Sequence, residues 1–279
     1  LGAAATLLAL TRPWQRVFLS AGPSLLPAPR RAALLMAVLA LVTMGCAILL
    51  LGLLSLSPRW PYPAILPPAI DVTAWATLAA SPAPLWLSLG MSFTVAATAL
   101  ALALLWFETQ PKERDRWLIG LAMLSLALPQ LAVAGGQYRL FLDLGAAGTL
   151  AGLFLAHLGP AFAYVMIVLQ GPYRAFDGRF MKVAHSLSLS TPAAWASVKL
   201  PLLKAPLLTT ATIAFAVSIM QFVPAQLIAA GRYSTLPTEA VTLSAGGNRP
   251  LAAAFALALA MPPLIAFLAA AVLGRPRWR

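Results

Sequence analysis

Six stretches of this 279-residue chain are each apolar over the length needed to cross a lipid bilayer, about 20 residues. They run roughly over residues 33–55, 85–107, 117–138, 149–170, 206–229 and 251–273. Inside hydrocarbon every backbone N–H and C=O has to be paired within the protein, so runs of this length fold as helices. Composition points the same way: 61% of residues are hydrophobic and 9% are charged, with a mean hydropathy of +0.87. A soluble domain carries about a quarter charged residues. The expected fold is all-α: a polytopic transmembrane helical bundle with six spans.

Basic residues orient the spans, because Lys and Arg are retained on the cytoplasmic side. One set of loops and ends holds fifteen of the nineteen: Arg12, Arg16, Arg30, Arg31, Lys112, Arg114, Arg116, Arg174, Arg179, Lys182, Lys199, Lys204, Arg275, Arg277 and Arg279. The opposite set holds Arg59, Arg139, Arg232 and Arg249. The C-terminus and the 171–205 loop are therefore expected in the cytoplasm. The net charge of +12 reflects this bias and an attraction to anionic lipid, and does not indicate nucleic acid as a partner. Residues 1–10 are apolar but half a span long, and Arg12 and Arg16 follow at once. They read as the tail of an earlier helix in a longer polypeptide, or else as a short interfacial anchor. The expected organisation is 1–32, that tail plus a cytoplasmic linker; 33–84, the first span and an outer loop; 85–273, a core of five spans; and 274–279, a cytoplasmic tail. Trp60, Tyr62 and Trp75 in the outer loop are expected at headgroup level.

The 171–205 loop is too polar to span lipid and too regular to be a plain linker. Phe176, Phe180, Val183, Ala184 and Leu187 recur at spacings of four and three, one face of a helix. Ser190-Thr191-Pro192 then restarts a helix, with a hydroxyl cap and an early proline. Two short helices with a corner between them are expected, lying in the membrane interface or seated in a groove of a partner protein. The narrow stripe and the spans pinning both ends favour the groove.

Within this loop, Lys182-Val183-Ala184, then Ser188 three residues on, then Val198-Lys199-Leu200-Pro201 after nine more, resembles a known signature. It is similar to the conserved loop of membrane permease subunits in ATP-binding-cassette (ABC) importers, Glu-Ala-Ala, three residues, Gly, nine residues, Ile-x-Leu-Pro. The spacing is intact; Lys stands for Glu and Ser for Gly. Residues 231–257 resemble the outer loop and final helix start of the iron and thiamine type permeases. The resemblance implies the type I importer architecture in a bacterial inner membrane, with the loop as a coupling helix seated on a cytoplasmic ABC ATPase dimer. It further implies a second permease half, fused or separate, an extracytoplasmic solute-binding protein, and ATP and Mg²⁺ bound by the ATPase. The ATPase-coupling residues it implies are Phe176, Phe180, Lys182, Val183, Ala184, Leu187, Ser188, Val198, Leu200 and Pro201.

Other chemistry is sparse. No Gly-x-x-x-x-Gly-Lys-Ser/Thr loop occurs in these residues, so ATP hydrolysis is expected from a partner. No His, Asp, Glu or Cys in the spans share metal-ligand spacing, and no Ser–His–Asp grouping suggests hydrolysis. An ion-coupled secondary carrier needs buried carboxylates, which the spans lack away from their ends. A membrane scaffold would not need the two-helix loop. The polar residues inside or beside spans, Gln130, Gln137, His157, Gln170, Gln221 and Gln226, either line a solute pathway or bond helix to helix. Gln221 is the preferred pathway residue, with Gln226 beyond Pro224. His157 beside Gly159-Pro160 reads more readily as a satisfied bundle histidine. Pro129, Pro160, Pro224 and Pro262-Pro263 are expected to break or kink their helices around a cavity. Asp71, Asp143 and Glu239 read as solvated outer acids.

Overall fold

In the computed structural model of the protein, residues 27–58, 60–61 and 63–275 are described. The expectations for residues 1–10, for Tyr62 and for residues 276–279 lie outside them. The chain divides into two compact units, residues 1–50 and 51–279.

The first unit, as far as it is described, is most of helix α1 (Pro27–Ser55). Its Leu, Val and Met side chains are exposed around the helix, which is apolar all round, as a membrane-spanning helix is. Its stretch Ala32–Ser55 is long and apolar enough to cross a membrane.

The second unit holds the bundle. Its helices are α2 (Thr73–Ala80), α3 (Ala83–Thr109), α4 (Lys112–Ala127), α5 (Gln130–Asp143) and α6 (Leu150–Arg174). After α6 come α7 (Arg179–Ser186), the irregular α8 (Thr191–Leu202), α9 (Lys204–Ile219), α10 (Val223–Ile228), α11 (Leu236–Ala245) and α12 (Arg249–Leu273). No strand forms among the described residues. The centre is a three-helix contact of α3, α6 and α9. Val95, Ala99 and Ala103 of α3 meet Leu153, Val165, Met166 and Leu169 of α6 and Ala214 of α9, all buried. Alanines on α3 let backbones approach closely, which is what associates helices where lipid is as apolar as leucine. α12 closes the other side of α9 and packs on α11 and α2, burying Leu78, Leu236, Ala254 and Phe255.

α1, α3, α6 and α12 are each long and apolar enough to span alone. The 117–138 stretch is not a straight helix: α4 and α5 meet at 105°. The cause is local. Pro129 disfavours helical backbone at Leu128, which is extended (ψ 146). The 206–229 stretch is the 16-residue α9, about 24 Å long, broken at 220–222 and continued by α10. Pro160, Pro262 and Pro263, by contrast, stay inside continuous helices. The 58–84 stretch, expected as an outer loop, carries one helix, α2.

Candidate functional site

α6 runs on through Pro172 to Arg174, so the loop begins at Ala175 rather than at Gly171. The Asp177 carboxylate accepts from the Arg179 backbone N–H (2.9 Å) and from Arg179 Nε (2.7 Å), which fixes the start of α7. The Arg179 guanidinium beside it holds the Asp177 carboxyl below its usual range.

The corner after α7 explains the motif. Leu189 N–H donates to Ala184 O (3.2 Å) and Ser188 N–H to His185 O (3.0 Å), the paired bonds of a Schellman cap. That cap puts its C′ residue in the left-handed region, and Ser188 sits there at φ 61. Glycine reaches this conformation without steric cost. A helix that ends and turns in this way favours glycine, the residue of the signature this loop resembles; this chain makes the corner with serine.

Beyond the corner, Ser190 occupies the cap position of α8, but its hydroxyl makes no capping bond, contrary to the sequence expectation. Pro192 lies in the first turn, and a π-helical turn spans Trp195–Lys199. That turn presents Trp195 and Lys199 together to the bundle. Glu108, at the C-terminal end of α3, takes both: Oε1 accepts from Trp195 Nε1 (2.8 Å) and Lys199 Nζ (2.6 Å), and also from the Tyr173 hydroxyl. Lys199 Nζ lies 4.3 Å above the Tyr173 ring. One carboxylate thus staples α8 to the ends of α3 and α6.

A second ion pair locks the same end. Asp115 of α4, its side chain 0% exposed, receives Arg174 Nε (2.7 Å) and Nη2 (2.8 Å) in a two-pronged bond, and Trp106 Nε1 (3.0 Å). Arg174 also donates to the carbonyls of Phe107 (3.0 Å) and Gln110 (2.9 Å). These are the carbonyls that the end of α3 leaves without helical partners. Gly274, at the end of α12, sits against Ala205 at the start of α9. Within the second unit, the basic segments 112–116 and 174–204 and the end of α12 therefore share one end of the bundle.

α7 lies with Ala184 buried against the body, while Phe180, Val183 and Leu187 are 52%, 58% and 71% exposed. This is where the expected stripe divides. Phe176 turns inward and packs on the core beneath Lys199, and Leu200 packs there too. Val198 is half-buried, whereas Lys182, Ser188 and Pro201 are exposed. The outward face is Phe180, Val183 and Leu187, an apolar patch flanked by exposed Arg179, Lys182 and His185. Exposed apolar side chains of this size on an amphipathic helix suit a protein groove.

Of the polar residues singled out in the spans, two come together. Gln221 Nε2 donates to the His157 backbone carbonyl (3.1 Å), and His157 Nδ1 pairs with Ser218 Oγ (3.2 Å). Gln221 follows the end of α9, where the helix breaks. Gln130 and Gln226 are exposed, and Gln137 and Gln170 are half-buried elsewhere. Asp143 pairs with Arg139 (3.2 Å) on the surface, and Asp71 accepts from Thr73. Among the described residues no three His, Cys, Asp or Glu side chains come together as metal ligands would.

Glu108, Asp115, Tyr173 and Trp195 escaped sequence reading, as did the serines beside His157. Asp115 lies among Lys112, Arg114 and Arg116, where charge counting sees only a basic loop. The available signal was an acid at the mouth of each of two adjacent spans, with an arginine closing a third.

No protein-family model matches the chain. It is 36% identical over 188 residues, 67% of its length, to the inner membrane ABC transporter permease protein YnjC of Escherichia coli. The chain spans little more than a third of that relative, 36%. Its fold matches a chain in the crystal structure of a bacterial ABC transporter involved in the import of the acidic polysaccharide alginate. That match has a TM-score of 0.59 and 16% identity, and covers 89% of this chain and 97% of the other.

Proposed function

We propose that this chain, a homologue of ABC transporter permeases with the fold of an ABC importer's membrane chain, forms one permease half of an importer in the bacterial inner membrane. The observation that carries the reading is the two-helix loop. It presents an apolar face at Phe180, Val183 and Leu187 outward and is stapled through Glu108 to the ends of α3 and α6. That face lies on α7, which packs on α8, and α8 is tied through Glu108 to two of the three central helices.

The partners follow from the likeness to importer permeases. A cytoplasmic ABC ATPase dimer, holding ATP and Mg²⁺, receives the outward face; a second permease half completes the path; and a solute-binding protein delivers at the outer end. The chain itself hydrolyses no ATP, having no phosphate-cradling loop within its 279 residues. The solute passes beside His157 and Gln221, the polar pair at the broken end of α9. Neither relative's name refers to iron or thiamine, and the likeness of residues 231–257 to that group stands as a sequence resemblance. Copurification tests the reading: the tagged chain should bring down an ABC ATPase, and Phe180→Asp should release it while membrane expression holds. A chain that purifies with no ATPase, or that hydrolyses ATP alone, refutes the reading.

A further inference from the structure

The outer half of the bundle holds a polar cluster whose hydrogen bonding is incomplete. Ser88 and Ser92 of α3, His157 of α6, Ser218 of α9, Gln221 beyond it and Thr235 before α11 line one narrow void with Met91 and Ile219. All six polar side chains are buried. Three of their polar atoms, Ser92 Oγ, His157 Nε2 and Gln221 Oε1, have no hydrogen-bond partner in the protein. The space between the side chains admits no water-sized sphere, so water cannot bridge them in this conformation either.

Natural proteins seldom leave one such atom unpaired, because a buried polar group without a partner is costly. Three around one void mark a site paired in another state. The backbone around it is also irregular. α9 stops at Ile219 beside Gln221, and Pro160 inside α6 withholds a helical N–H one turn from His157. Ser92 and His157 lie about 10–14 Å in from the outer ends of their helices. Discontinuous helices with polar groups at membrane depth are how transporters build solute sites.

The lining contains hydroxyls, one amide and one imidazole, and no acid, lysine or arginine. An ion brought there would be buried without a counter-charge, which is strongly unfavourable. A neutral group that both donates and accepts would satisfy all three atoms.

We propose that Ser92, His157 and Gln221 form a subsite for an uncharged hydroxyl- or amide-bearing part of the solute. It is closed in this conformation and opens when α3 parts from α6 and α9. The proposal rests on the permease reading. It is tested in membrane vesicles holding the assembled transporter with Cys46→Ser, carrying Ser92→Cys, His157→Cys or Gln221→Cys one at a time. The probes are three methanethiosulfonates of similar size: neutral hydroxyethyl, cationic trimethylammonioethyl and anionic sulfonatoethyl. Rates are normalised to Tyr233→Cys in the outer loop.

Labelling should be slow without nucleotide and about tenfold or more faster during ATP turnover, with the neutral reagent ahead of both charged ones by a similar factor. Equal rates with and without ATP, or no labelling at all, overturn the subsite. Charged reagents reacting as fast as the neutral one overturn the ligand class. Ser92→Cys, the most conservative change, carries the test if the other two variants fail to assemble. ATPase copurification from the same vesicles keeps the two failures apart: ATPase retained with no labelling refutes the subsite alone.

Discussion

Arg174→Met removes the guanidinium that pairs with Asp115 and leaves that carboxylate, 0% exposed, with neutral partners alone, the Trp106 indole and Gln170. Breaking a buried pair from one side costs about 3–5 kcal/mol, because the remaining charge is uncompensated. Part of that loss is the carbonyls of Phe107 and Gln110, which lose their donor at about 1 kcal/mol each. The charge itself then accounts for about 2 kcal/mol, and a second mutation can isolate it. Asp115→Asn keeps an acceptor for Trp106 and removes the charge. Arg174→Met with Asp115→Asn should therefore be more stable than Arg174→Met alone by about 2 kcal/mol, although it carries one more change. In thermal unfolding of the detergent-solubilised protein, about 2–4 °C accompanies each kcal/mol in a domain of this size. The single variant should fall by about 6–20 °C and the double should recover about 4–8 °C of it. A double variant no more stable than the single would show that an unpaired charge is not what destabilises the site.

The loop and its anchor give further expectations. Ser188→Gly should raise the unfolding temperature slightly and keep ATPase binding, since a non-glycine residue held left-handed costs about 1–2 kcal/mol; Ser188→Val should lower both. Val183→Asp should release the ATPase, because a carboxylate buried unpaired at a contact costs several kcal/mol; retained ATPase and transport would remove α7 from the docking face. Glu108→Ala unties Trp195 and Lys199 together, so uptake should fall while the ATPase still copurifies, with Glu108→Gln intermediate; unchanged uptake would show that the staple carries no load. Impermeant thiol labelling from outside should modify Tyr233→Cys and spare Lys182→Cys, and the reverse pattern would invert the topology.

The parts of this molecule legible in the sequence are those set by one-dimensional patterns. Hydrophobic length gave the four unbroken spans α1, α3, α6 and α12, and loop charge gave a grouping of which segments 112–116 and 174–204 meet at one end through Glu108, Asp115 and Arg174. Motif spacing located the corner at Ser188, whose left-handed backbone supplies the reason for a glycine there. What sequence could not show depends on which faces meet. Phe176 and Phe180 share a helical periodicity, yet Phe176 lies in the turn between α6 and α7 and only Phe180 is on α7: one ring lies under Lys199, and the other, 6.2 Å from it, is half exposed. Proline signalled a break at Pro129, Pro160 and Pro262 alike, yet the chain turns only at the first and runs on as helix through the other two. Serines 88, 92 and 218 pass for ordinary residues of an apolar helix until three helices bring them to one void.

Photo-crosslinking from position 180 tests the central claim most directly, since it asks what touches the outward face of α7 in an intact membrane. With a photoreactive amino acid replacing Phe180, irradiation should join the chain to an ABC ATPase, and the yield should change between nucleotide-free membranes and membranes given ATP. Adducts only to lipid, or the same yield in both conditions, would contradict a loop that couples this bundle to ATP hydrolysis.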